Sequence, residues 1–248
     1  MKKLVLLRIA VVALAGVAIY AQSDSKDHEE NARIAELEKS AEKGDTAAMH
    51  RLIEFYDENS VEYVEIEAAC DAYGNELDAD SINSENKKNA EMSKDYSERL
   101  NYWLDKGLAI GDPVALATKG MRLYYGDEEN AIIYLSKAAD AGNAKAALFC
   151  GSACLNQGKG DDAFKYLSKA YELGAPSAGW HLAMCYSAGI GTSPDRNKAI
   201  EVMRHAAMHD YPEAVSEMRR IEPQNEIWQH KADSLEIDFP DFPIIPDE

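Results

Sequence analysis

The chain has 248 residues, of which 46% are hydrophobic and 28% charged, and its formal net charge is -18. That apolar share excludes wholesale disorder, and the acidic balance disfavours nucleic acid and anionic lipid surfaces while suiting a basic protein face.

The first segment differs from the rest. Lys2, Lys3 and Arg8 form a basic start, Ile9 to Tyr20 is apolar, and Ala21 supplies a small residue before Gln22. This is the pattern of an export signal over residues 1–21, cut between Ala21 and Gln22, and it implies a periplasmic or secreted protein. The apolar run is short of the roughly 20 residues that span a bilayer, so no stable membrane insertion of the mature chain is expected. The alternative keeps residues 1–21 as an inner-membrane anchor. Cleavage removes three basic and no acidic residues, which leaves the remainder more acidic still. Residues 22–30 read as a linker.

From residue 31 to 221 one element recurs. Gly44, Gly111, Gly142 and Gly174 are each followed four residues later by alanine, at Ala48, Ala115, Ala146 and Ala178, with a weaker echo at Ala214. Spacings of about thirty residues predict a stack of helix pairs, an all-α solenoid. In each first helix the positions zero, four, five and eight from the alanine share a face. The third of these is small, at Gly120, Gly151 and Ala183, and the fourth is large at Tyr56, Leu123 and Tyr186, with Cys154 in that place in one repeat. Leu104, Leu135, Leu167 and Met203 hold the matching large position of the second helix, seven residues before Gly111, Gly142, Gly174 and Asp210. A small ridge facing a large one lets two helices approach closely. The glycine suits a left-handed helix end, and Pro113, Pro176 or Pro212 pre-sets the next first turn.

One interval breaks the rule, because Ala48 to Ala115 is about twice the period. The places expected to hold alanine, leucine and tyrosine are Asp78, Ile82 and Asn86. Residues 58–95 are therefore either an eroded repeat or an insertion with a helix around Val61 to Tyr73. Beyond Ile221 the signal stops. Residues 222–248 read as a capping helix, Glu226 to Leu235, followed by an acidic proline-rich tail.

The order of alanine, leucine and tyrosine in the first helix, with paired alanines and a glycine closing the second, resembles the Sel-one-like repeat family, relatives of the tetratricopeptide repeats. The fourth unit carries it most fully, in Ala178, Leu182, Tyr186, Gly189, Gly191, Asp195, Lys198, Ala199 and Ala206-Ala207. The resemblance implies a right-handed superhelical solenoid of antiparallel helix pairs and a non-catalytic protein-binding role. Within that role it implies an envelope adaptor, or an immunity protein that neutralises an effector. The rival reading, drawn from cysteine-rich members of the same family, is a cell-wall or beta-lactam hydrolase, with His181 and Glu54 as the first residues to replace. Related solenoids also place the first helices on the concave side. That assigns partner contact to Arg51, Glu54, Met121, Phe149, Ser152, His181 and Met184, with Tyr124, Tyr125 and Trp180 beside the stripe. No cofactor is expected.

Cys70, Cys150, Cys154 and Cys185 permit two disulfides in an exported chain. A Cys150 to Cys154 bond along one helix strains disulfide geometry, a cross-repeat bond from Cys154 to Cys185 is conceivable, and burial as small apolar residues is the third reading. His205 and His209 have the spacing of a two-histidine metal face but no HExxH glutamate, and Asp78-Ala79-Asp80 lacks the glycine of a calcium loop, so no metal is expected. Nor does the chain contain a nucleophile elbow, P-loop, dinucleotide fingerprint or CxxC pair.

Overall fold

The computed structural model describes residues 18–60 and 79–237, with side chains from residue 29 onward except 79, 81 and 85. Residues 1–17, Cys70, the expected helix at 61–73 and the tail from 238 lie outside the described residues. Among the described residues there are eleven helices and no strand, and the chain divides into two compact units after Lys106. The protein is all-α, with successive helices packed as neighbouring pairs.

In the first unit α1 (Ala18–Ala41) packs on α2 (Thr46–Asn59), and α3 (Ala79–Ala109) begins. Residues 22–30 are helical backbone within α1, not the linker expected, because nothing from Gln22 to Glu30 is glycine or proline. Residues 79–95, inside the stretch expected to be irregular or inserted, form the first half of α3; no glycine interrupts that helix before Gly107. Three helices are tied by polar groups. Tyr56 of α2 donates to Glu38 of α1 at 3.0 Å, and Arg99 of α3 pairs with the same carboxylate at 2.8 Å and with Asp95 at 2.9 Å. Burial pushes the Tyr56 hydroxyl up to about 12, so it stays a donor.

The second unit stacks α4 (Pro113–Leu123) on α5 (Glu128–Asp140), α6 (Ala144–Asn156) on α7 (Gly160–Glu172), and α8 (Ala178–Ala188) on α9 (Arg196–Met208). Two short helices follow, α10 (Pro212–Ile221) and α11 (Glu226–Ser234), the latter burying Trp228 and Ala232. The turn between repeats has a physical recipe. Gly142 has φ +93°, a region costly to any side chain, and Asn143 then caps α6 by accepting from the Ala146 amide at 2.9 Å. Asp45 and Asp112 cap α2 and α4 in the same way. Asp210 stands where earlier repeats have glycine and still adopts φ +60°.

Within each pair the small and large ridges meet. A Cβ on Gly120 would lie 2.6 Å from Leu135 Cγ, and one on Gly151 would lie 2.6 Å from Leu167 Cγ, so only hydrogen fits. Ala183 and Met203 share the next core. Gly191, in the loop after α8, presses on the backbone of Gly160 at the start of α7, so that two glycines let neighbouring repeats touch. The alanines that open each repeat, Ala115, Ala146 and Ala178, are fully buried.

Candidate functional site

Arg51 and Glu54 are exposed on α2, in the first unit. In the second unit Met121, Tyr124, Phe149, Ser152, Trp180, His181 and Met184 are half-buried, and Tyr125 is 86% exposed. These side chains resolve into two groups.

The first sits where α4 ends. The Tyr124 amide closes the last turn by donating to the Met121 carbonyl, the Asp127 amide donates to that of Leu123 at 2.7 Å, and Asp127 caps α5 at Asn130. With the backbone held at both ends, Tyr125 projects outward. Its ring meets Tyr124 edge-on, with centroids 5.0 Å apart, and Tyr124 meets Phe149 of α6 edge-on at 5.2 Å. Such pairs stabilise by about 0.5–1.5 kcal/mol beyond burial and hold the rings in a set orientation. Below them Asn156, at the end of α6, hydrogen-bonds Tyr124 and donates to Glu128 at 2.9 Å. Burial raises the Tyr124 hydroxyl above its ordinary value. The site thus bridges two successive repeats. Asn156 and Glu128 were not among the residues expected from the sequence; their signal is only that they sit at the helix ends flanking the aromatic stripe.

The second group is built on α8. Trp180 packs with Tyr211, the residue before Pro212, at 6.2 Å, and both pack on the core of α8 to α11. His181 Nδ1 lies 3.3 Å from the Ser177 carbonyl, the geometry of an N–H donor. Burial holds the His181 ring below its usual pKa, against an opposing pull from that hydrogen bond and from Glu213. His181 is therefore neutral at pH 7. Tyr186 serves the fold instead, meeting Phe164 at 5.4 Å with Lys198 over its ring.

Cys150, Cys154 and Cys185 are free, buried thiols, so the conceivable Cys154 to Cys185 bond is not formed. The reason is where they point. Cys154 shares a hydrogen bond with Cys150 inside the core of α4 to α7, whereas Cys185 lies in the next core with Leu167 and Met203. The shared hydrogen bond raises the Cys150 thiol and lowers that of Cys154, and burial pushes Cys185 up to about 11. His205 and His209 face each other at 4.8 Å with Tyr171 beside His205, and among the described residues no third ligand completes a metal site.

No protein-family model matches the chain, and none of the curated proteins matches it. Among solved structures, the Sel1 repeat protein from Oxalobacter formigenes is 19% identical, with a TM-score of 0.47, over 83% of this chain and 67% of that one. A protective antigen present in uropathogenic Escherichia coli strains, displaying an SLR fold, is 21% identical with a TM-score of 0.48. That match covers 82% of this chain but only 47% of the antigen, so the chain spans about half the antigen's length. Among the described residues, no helix is long and apolar enough to cross a membrane.

Proposed function

We propose that the chain is a non-catalytic protein-binding scaffold, exported by residues 1–21, whose second unit presents its first-helix aromatics to a partner with a basic surface. The observation that carries this reading is Tyr125, 86% exposed yet held edge-on against Tyr124, which is itself held against Phe149. A large ring fixed in place before binding loses little entropy on contact, which is why such residues dominate interfaces. Its partner role extends along the stripe of the second unit through Met121, Ser152, Trp180, His181 and Met184; in the first unit, taken by itself, Arg51 and Glu54 are the residues proposed for contact. The acidic charge supports a complementary basic face and speeds its association. Of the two roles in this class, immunity protein and envelope adaptor, the first fits better, since a stoichiometric blocker requires only a matching surface.

The test is capture from native envelope extracts with the full chain tagged at its C-terminus, wild type beside Tyr125→Ala, followed by deletion of the gene. One protein retained by the wild type, and held about 30-fold more weakly by the variant, supports the reading, a central hot spot being worth about 2 kcal/mol or more. Sensitivity of the deletion strain to neighbouring cells supports immunity. Undiminished capture by Tyr125→Ala contradicts the site, and stable assembly-machinery partners without sensitivity contradict immunity.

A further inference from the structure

Resting on that reading, we infer that the surface of Tyr124, Tyr125 and Phe149 receives an arginine-bearing segment of the partner protein, its guanidinium laid on the Tyr125 ring and its edge turned to the carboxylate of Glu129. Three features of the surface select a cation. The first is charge: the turn that follows Tyr125 runs into Glu128 and Glu129, and Glu129 is exposed with no hydrogen bond or ion pair among the described residues. Glu128 is different, since its carboxylate already accepts from Asn156. The second is the backbone. The Tyr124 and Asn156 contact brings together the C-terminal ends of α4 and α6, the partially negative poles of two helix dipoles. The third is the ring itself, since an exposed tyrosine face attracts a cation through its quadrupole. Arg122, the nearest cation of the chain in sequence, already has an interaction of its own.

Arginine fits better than lysine. Its plane stacks on the ring while its edge still reaches a carboxylate, and it sheds water more readily than an ammonium. An apolar segment would use the rings but leave the Glu129 carboxylate without a partner.

The test uses the full chain and hexa-arginine, hexalysine and hexaglutamate peptides, titrated by calorimetry at 0.15 M salt. Hexa-arginine is expected to bind more tightly than hexalysine, and hexaglutamate not at all. Tyr125→Ala should weaken hexa-arginine about fivefold, in keeping with an exposed cation–π contact of about 1 kcal/mol. Glu129→Gln should weaken it about two- to fivefold, whereas Glu172→Gln, an exposed acid elsewhere in the unit, should not. Both site residues are exposed, so circular dichroism should show the fold unchanged. Equal binding by Tyr125→Ala and wild type, or equal loss with Glu172→Gln, would overturn the inference by showing diffuse attraction only. Self-association abolished by Tyr125→Ala would overturn it too, the occupant then being a second copy. If Tyr125→Ala releases the captured envelope partner yet leaves hexa-arginine binding unchanged, this inference fails and the scaffold reading stands. If neither changes, both fail.

Discussion

His181 is neutral because desolvation of its half-buried ring disfavours the charged form, and neutrality has a pH signature. Its folded pKa lies below the ordinary value of 6.5, so the unfolded chain binds a proton that the folded chain refuses. The stability it contributes is complete above pH 7 and is lost as pH falls through 6.5 toward the folded value. Between pH 7.5 and 5.5 the unfolding free energy of the wild type should therefore decline, and that of His181→Gln should decline less. Denaturant titrations at several pH values check this, and identical slopes would show that His181 is not buried as described. The thiols make a second residue-scale prediction. In Cys70→Ser, native protein at pH 8 should react slowly with a thiol reagent, because Cys150, Cys154 and Cys185 are buried and Cys150 and Cys185 are held as thiols. After denaturation without reductant, three thiols should react. Only one reacting would mean a disulfide had formed.

At the scale of the element, the close approach of helix pairs rests on glycine where any Cβ would collide. Gly151→Ala places a methyl against Leu167 and should cost about 1–3 kcal/mol, a drop of a few degrees in Tm for a chain of this size. In a Leu167→Ala background the side-chain clash is gone and only the backbone N of residue 167, at 3.0 Å, still presses on the methyl. The same substitution should then cost markedly less, because the helix preference of alanine over glycine, about 1 kcal/mol, offsets that remaining contact. Thermal melts of the four proteins decide this, and an equal cost in both backgrounds would contradict the ridge packing. This packing was legible in the sequence because Gly120 and Gly151 each lie five residues after a repeat alanine, and Leu135 and Leu167 each seven residues before the next repeat glycine. The caps had a signal that the repeat reading did not use, since Asp45, Asp112 and Asn143 each follow the turn glycine. Other features left no such trace. The first half of α3 carries no repeat pattern, and Asp78, Ile82 and Asn86 depart from it, so the stretch read as an eroded repeat or an insertion and the start of this helix went unplaced. The edge-on contact of Tyr124 with Phe149, and the tilted one of Trp180 with Tyr211, depend on how repeats are set against each other. Spacing along one helix does not encode that. The polar partners Asn156 and Glu128 come from different helices for the same reason.

For the whole molecule, the account is that of a scaffold whose periodic residues hold the fold and whose non-periodic aromatics meet a partner. On the proposed reading, export puts that partner in the envelope or outside the cell, and the acidic charge of the chain calls for a basic protein. The measurement that tests this most directly is the native mass of the full chain in an envelope extract, by size-exclusion chromatography with light scattering at low and then high salt. A complex heavier by one basic protein than the chain alone, which is 27.4 kDa before cleavage of residues 1–21, is expected, with salt shifting it toward the free form. A chain that runs alone at its own mass under both conditions would contradict the claim that binding another protein is what it does.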